Sequence, residues 1–466
     1  MIQLFRNKIY QEFIEDFPVY KKTNTLDKLR KKEYGRLDKN RQIYLDYTGG
    51  NLYTKGQVKK HLSLLLHHTF GNPHSTNPTS QFSTILVEET RKYVLQYFNA
   101  KDDYFCIFTP NASGALKIVG ESYPFGKDSF LLLSLDNHNS VNGIREFAKK
   151  KGSGYRYSPL HISNLELNEQ ELNQQLHAHQ DCDNKLFAFP AQSNVSGVKH
   201  PLRYVKQAQD KGWDVLLDAA AFVPTNRLDL QEVQPDFASV SFYKIFGYPT
   251  GLGCLLLRKA KFEKLVKPWY AGGTISMASA TYDSHFLMPN HERFEDGTLN
   301  YLDIPAIKIG LEYIEGIGMD TINKRVQSLA GWLLKKLKDL QHNNGKPLIK
   351  IFGPEDMDAR GGTLVMNFYN QQGEQYPYTY IESEANKKNI SIRTGCFCNP
   401  GVDETTNCLL PESLAEFFGT HSDGNFRHMM EVTGHLRGSV RISLGLASNF
   451  KDVLAFYHFT RTFLNR

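Results

Sequence analysis

No run of apolar residues in this chain approaches the ~18 that a membrane-crossing helix needs. The opening residues, Met-Ile-Gln-Leu-Phe-Arg, hold no apolar stretch long enough for a secretory signal. No membrane partner is expected, and a cytoplasmic location is. Cysteine is sparse as well. The six cysteines, at 106, 182, 254, 396, 398 and 408, lack the density and regular spacing of a disulfide-stapled secreted domain, so a reducing compartment is expected. The sequon Asn194-Val195-Ser196 then reads as chance. There is no internal repeat and no low-complexity segment. A strong charge imbalance is missing too, with a net charge of +6 and 22% charged residues. Lys21, Lys22, Lys28, Arg30, Lys31 and Lys32 cluster near the N-terminus, but Asp27 and Glu33 interrupt them. They read as a solvated helix face, and no nucleic-acid partner is expected.

What is present is length. A chain of 466 residues with 41% hydrophobic composition can bury a large core and is expected to form two domains. Residues 1–42 are polar and mixed and read as an N-terminal arm. A short strand is expected at 43–45. Residues 71–80 are rich in Asn, Pro, Ser and Thr and read as a loop. The spacing of Phe82, Ile85, Leu86, Val94, Leu95 and Phe98 then predicts a helix.

Between 104 and 260, short apolar runs alternate with polar segments of crossover length. The runs cover 104–109, 129–135, 185–191, 214–218, 237–242 and 253–257. Each is continuous, as in strands buried on both faces. This predicts an α/β fold with a mostly parallel, doubly wound sheet. After 300 the texture changes. Helices are expected near 304–316 and 321–341, strands near 349–353, 363–368, 391–394 and 439–444, and a last helix near 450–463. The expected organisation is an arm (1–42), a large ligand-binding domain (43–300) and a smaller α+β domain (301–466).

Two residues suggest the chemistry. Lys244, in Ser241-Phe242-Tyr243-Lys244, follows a buried strand and precedes the glycine-rich turn of Gly247, Gly251 and Gly253. Asp218 ends the preceding strand. Ligands of open α/β sheets bind at such strand ends. Pyridoxal phosphate needs a lysine for its Schiff base and a carboxylate to keep its pyridine nitrogen protonated. A lone lysine here would read as a surface charge, and a lone aspartate as a cap; together they suit both tasks. A third element, Phe108-Thr109-Pro110-Asn111-Ala112-Ser113-Gly114, sits where a strand turns into a helix, and the free N–H groups of a helix start bind phosphate.

Two segments carry a resemblance to a known family. Residues 241–251, Ser-Phe-Tyr-Lys-Ile-Phe-Gly-Tyr-Pro-Thr-Gly, resemble the cofactor-lysine motif of class V aminotransferase-fold enzymes, and are most similar to the N-terminal domain of molybdenum cofactor sulfurases. So are residues 393–401, Arg-Thr-Gly-Cys-Phe-Cys-Asn-Pro-Gly. The resemblance runs from Tyr44-Leu45-Asp46 to about Ser443. It implies the fold type I of pyridoxal-phosphate enzymes and several roles. His138 would stack on the cofactor ring and Asn194 would hydrogen-bond the ring hydroxyl. Ser241, Ala112 and Ser113 would hold the phosphate. Thr298 would serve the phosphate of another subunit, which implies a homodimer. Three positions depart from the wider desulfurase pattern. Tyr243 replaces a histidine, as is usual in the sulfurase branch; Ala221 stands where Gln or His is common; Asn111 replaces a glycine.

The Cys396–Cys398 pair has only Cys408 nearby, too few ligands for a zinc site, so no metal is expected. A disulfide across one residue would be strained. A catalytic thiol fits better, with positive charge from Arg393 and a Gly- and Pro-bearing loop. The resemblance implies that Cys398 accepts sulfur, that Arg441 holds a substrate carboxylate with Arg393 in support, and that L-cysteine is converted to alanine. A partner, protein or cofactor, must then collect the sulfur. The sequence ends soon after the last expected helix, so the molybdenum-cofactor-binding domain of eukaryotic sulfurases is expected to be absent, which leaves the acceptor open. A C–S lyase or aminotransferase on the same fold, and a scaffold without turnover, remain as alternatives.

Overall fold

The computed structural model describes residues 2–466 apart from 408, 410, 422, 423, 425 and 435; Cys408 therefore lies outside the described residues. The main sheet has seven strands, in the order Tyr104–Thr109, Gly253–Arg258, Phe237–Ser241, Asp214–Asp218, Asn184–Pro190, Ser129–Ser134 and Gly154–Ser158. Its continuous apolar runs are explained by burial on two sides. Leu132, Val215 and Leu217 enter one buried cluster, while Leu131, Leu133 and Leu216 enter the other, because alternate side chains leave opposite faces of a strand.

The sheet is mostly parallel, with one reversal: Gly253–Arg258 runs antiparallel to both neighbours. The edge strand Gly154–Ser158 was not legible as an apolar run, because Gly154, Tyr155 and Arg156 are exposed. The strands ending at Thr109, Ser134, Pro190, Asp218 and Ser241 all finish on one edge of the sheet.

The later part of the chain forms a four-stranded antiparallel sheet, ordered Ile349–Phe352, Thr363–Phe368, Ser439–Ser443 and Arg393–Gly395. The long helices Ile304–Ile317 and Met319–Lys338 precede it, and Phe450–Arg461 follows it. The short strand Ile43–Tyr44 pairs in parallel with Ile390–Ser391, so the start of the chain is bound to its C-terminal third.

The N-terminal arm is helical over Ile2–Asp16 and Thr25–Glu33 and is packed. Phe13 is fully buried and stacks on Phe450, ring centroids 4.5 Å apart; burying such a ring contributes about 1.5–3 kcal/mol. Buried Arg325 donates to Thr23 and Asp27 of the arm. The basic run divides. Lys21, Lys22, Lys28, Lys31 and Lys32 are exposed, as a solvated face requires. Arg30 departs from that expectation: it is buried and ion-paired with Asp38 and Asp452. No helix among the described residues is long and apolar enough to cross a membrane.

Candidate active site

A cavity of about 270 Å³ opens at the edge where the strands end. Asp218 and Ser241 close two of those strands, and Lys244 sits in the single-turn helix Phe242–Phe246 that follows. All three line the cavity, together with Tyr243, His138 and Asn194. Ala112 and Ser113 line it as well.

Asp218 accepts from the Ala220 N–H at 3.1 Å and the Ser239 hydroxyl at 2.9 Å. Both bonds fall on Oδ1; among the described residues Oδ2 has no hydrogen-bond donor. Lys244 has its pKa pushed down, chiefly by burial. Asp218 opposes that shift, and Arg441 and Arg393 add to it. His138 is also shifted down, mainly by burial, which keeps its ring neutral at pH 7. Its Nδ1 accepts from the Ser140 N–H at 3.1 Å and fixes the ring at the start of a short helix.

Asn111 caps the helix Ala112–Ser122 by accepting from the Gly114 N–H at 3.0 Å. The substitution for glycine therefore supplies a helix cap. The Ala112 N–H donates to Ser241 Oγ at 2.9 Å, and the Ser113 and Ser140 hydroxyls lie 2.6 Å apart. Hydroxyls and helix-start N–H groups, together with a carboxylate and a lysine of lowered pKa, line one cavity and fit the chemistry of pyridoxal phosphate, which has an anionic group to bind and a ring nitrogen to hold protonated. Ala221 also lines the cavity. Thr298 is exposed and does not line this cavity within its own chain.

The cysteine loop is fastened over the rim. Asn194 Nδ2 donates to the Phe397 carbonyl at 2.9 Å, and the Asn139 N–H donates to the Cys398 carbonyl at 2.7 Å. Buried Asn399 donates to the Asp136 carbonyl at 2.6 Å and to Asn194 Oδ1 at 3.0 Å. Phe397 and Cys398 have φ of 58° and 53°. Two successive left-handed residues without glycine cost about 1–2 kcal/mol each, so these contacts hold a strained turn that displays the thiol. Cys398 is exposed, whereas Cys396 is half-buried. Burial and the neighbouring Asp403 push the Cys396 thiol well up, so Cys396 is a poor thiolate.

Arg441 is buried, and its Nη1 donates to the Asn194 carbonyl at 2.8 Å. Its Nη2 donates to Asp46 Oδ1, also at 2.8 Å. Arg393, expected to lend positive charge to the cysteine loop and to support Arg441, donates from Nε and Nη2 to Asp46 Oδ2 at 2.9 and 2.6 Å.

Sequence reasoning missed Asp46 and Asn399. Asp46 closes the Tyr44-Leu45-Asp46 segment, and Asn399 has the signature of an N-cap before Pro400. Both signals were local, while the contacts that matter reach across the chain.

The aminotransferase class-V family profile matches residues 43–456. Molybdenum cofactor sulfurase of Arabidopsis thaliana is 33% identical over 480 residues, covering 93% of this chain and 57% of that protein. The Homo sapiens protein of the same name is 35% identical, covering 93% and 51%. The chain thus spans about half the length of these curated relatives. Among solved structures, the apo cysteine desulfurase of Thermococcus onnurineus NA1 superposes with a TM-score of 0.76 at 24% identity, covering 94% of this chain and 97% of that one. A cysteine desulfurase from Escherichia coli in its S-sulfonic acid form gives 0.72 at 18%, covering 94% and 98%. At these identities the likeness establishes the shared fold, that of pyridoxal-phosphate fold type I. The family match begins at the strand Ile43–Tyr44 and ends inside the last helix, so it takes in both walls of the cavity, and the chain belongs to the class-V aminotransferase family.

Proposed function

We propose that this chain is a pyridoxal-phosphate-dependent cysteine desulfurase that moves sulfur from L-cysteine onto Cys398 and passes it to an acceptor. The observation that carries this reading is the placement of Cys398, an exposed thiol on a strained turn tied by Asn139 to the rim of the cavity that contains Lys244 and Asp218. The names of the curated relatives and structural neighbours support it.

In this reading Lys244 anchors the cofactor, His138 stacks on it, and Asn194 faces its ring hydroxyl. Ser241, Ala112 and Ser113 hold its phosphate, joined by Thr298 of the partner subunit in a homodimer. Bound there, the cofactor supplies an electron sink for the bonds at the substrate α-carbon. Asp218 keeps the ring nitrogen protonated. Arg441 receives the substrate carboxylate as a charge-assisted pair. Burial lowers the Lys244 pKa and so favours the neutral amine, the form that takes the α-proton. The Cys398 thiolate attacks the substrate sulfur: an S–S bond forms, the Cβ–S bond breaks, and its electron pair stays with the carbon, which is protonated to give alanine. The acceptor is a separate protein or cofactor that takes the outer sulfur of the Cys398 persulfide; the molybdenum cofactor is the candidate that the relatives' names supply.

The test is a mass spectrum of the holoenzyme after incubation with L-cysteine and no acceptor. One extra sulfur atom on Cys398, with stoichiometric alanine, is the expected result. Free sulfide without modified Cys398 would establish the lyase, a keto acid the aminotransferase, and no reaction the scaffold.

A further inference from the structure

Arg393 and Arg441 stand directly opposite each other on adjacent antiparallel strands. Like charges in that register repel, and the Asp46 carboxylate accepts from both. Asp46 takes one hydrogen bond from Arg441 on Oδ1 and two from Arg393 on Oδ2. The backbone is built to place it. Asp46 bridges to Ser443, beside Arg441 on the same strand. The Tyr44 hydroxyl donates to Gly50 O at 2.7 Å and reaches Asp46 O at 3.2 Å, shaping the turn that follows. A Cβ at Gly49 would come within 2.5 Å of Asp46 Oδ2 and 2.7 Å of Arg393 Nη2; the glycine leaves room for the ion triad.

The charge count is simple: two guanidinium groups and one carboxylate leave a single positive charge. That charge has a place to act. Arg441 Nε is buried and has no acceptor, while Nη1 and Nη2 are engaged. A buried guanidinium N–H without an acceptor is costly, and the same guanidinium lies over the Phe397 ring at 4.9 Å and bonds the carbonyl of Asn194, a residue that lines the cavity. Arg393 is half exposed, and Asp46 holds it by two bonds.

We propose that Asp46 is a specificity-determining residue: it cancels one arginine charge and occupies Arg393, so that the site accepts amino acids with one carboxylate and disfavours those with a second acidic group on the side chain. This rests on the desulfurase reading, in which Arg441 receives the substrate carboxylate. The excluded class includes aspartate and the oxidised forms of cysteine that carry a sulfinate or sulfonate. L-cysteine, with a neutral thiol, passes.

The test is calorimetric titration of L-alanine and L-aspartate into the holoenzyme, two ligands that differ by one carboxylate. Wild type should bind alanine more tightly. Asp46→Asn should move the ratio of dissociation constants about tenfold or more toward aspartate, the scale of one unscreened charge at this range. Asp46→Glu should keep the wild-type preference. Adding Arg393→Gln to Asp46→Asn restores the net charge and should return the ratio toward wild type. A purely structural role for Asp46 would weaken both ligands alike and leave the ratio unmoved. Should Asp46→Asn not fold, Arg393→Gln alone, one charge lower, should move the ratio the opposite way. An unchanged ratio in the variants that fold overturns the proposal. A wild-type holoenzyme that makes no alanine from L-cysteine overturns the desulfurase reading instead, a result the titration does not depend on.

Discussion

The Asn139 N–H donates to the carbonyl oxygen of Cys398 at 2.7 Å, so the residue after His138 holds the cysteine loop to the cavity rim. That contact fixes the backbone of Cys398 and leaves its side chain exposed. Cys396, two residues earlier, faces Asp403 with its thiol pKa pushed up. The two thiols should therefore separate in function. Cys398→Ala should bind cofactor and substrate yet lose nearly all alanine and persulfide formation, and Cys398→Ser should not rescue it, because a hydroxyl is a poor nucleophile toward sulfur. Cys396→Ala should keep substantial turnover. Turnover of L-cysteine to sulfide, pyruvate and ammonia by Cys398→Ala at the wild-type rate would make this chain a lyase. Loss in Cys396→Ala alone would move the sulfur carrier to that residue.

Lys244 anchors the second expectation. The purified holoenzyme should be yellow, and borohydride should fix the cofactor to Lys244 in a tryptic peptide map. Label on any other lysine, or a protein that stays colourless after reconstitution, contradicts the assignment.

The same lysine predicts a pH dependence of the apo chain. Burial lowers its pKa in the folded state, while an unfolded lysine titrates near ~10.4. Below the folded pKa both states are protonated and the penalty of burying the charge is complete. Between the two values the unfolded state binds more protons, so stability rises with pH. Lys244→Met should therefore be more stable than wild type near pH 7, with the gap closing by about pH 10. Urea unfolding of both apo chains at the two pH values checks this; a gap that widens with pH contradicts the burial argument.

How much of this was legible beforehand depended on how local the signal was. Continuous runs such as Val215-Leu216-Leu217 mark strands covered on both faces, and they placed Asp218 and Lys244 at one sheet edge. The antiparallel insertion of Gly253–Arg258 was hidden, because a buried strand reads alike in either direction. The exposed edge strand at Gly154–Ser158 has no apolar run to find. Asp46 escaped for another reason: its partners Arg393 and Arg441 lie far along the chain, and no spacing rule joins them. Arg30 looked like its solvated neighbours until Asp452, near the other end of the sequence, covered it.

Thr298 is exposed on its own chain and absent from its own cavity. Nearby, the hairpin of Ile275–Ser279 and Ser284–Leu287 displays Met277, Tyr282 and Phe286 at 60% exposure or more. The proposed homodimer, by covering this hairpin and lending Thr298 to the neighbouring phosphate site, would account for both. Mixing a Lys244→Ala chain with a Thr298→Ala chain should restore part of the activity, since one site of each mixed dimer regains both groups. Full activity from a monomer by light scattering would exclude the arrangement.

The arm supplies the last prediction. Arg30 is 4% exposed and donates to Asp452 from both Nη1 and Nη2, to Asp38, and to the Ala447 carbonyl at 2.7 Å. Asp452 is 4% exposed and caps the last helix by accepting from the Asn449 N–H at 3.0 Å. Removing one member of a buried pair strands the other charge, which costs roughly 3–5 kcal/mol. Arg30→Met should destabilise the protein by that amount in urea unfolding. Replacing both, Arg30→Met with Asp452→Leu, removes the stranded carboxylate. The double variant should regain most of the loss, short by about 1 kcal/mol for the missing helix cap. The alternative is that Arg30 acts only through its packed methylene stem. In that case Arg30→Met, which keeps a similar stem, would be nearly neutral, and the double variant would be worse than the single. A double variant less stable than Arg30→Met would therefore show that the arm is held by packing around Phe13, and that the ion pair sets its register at most.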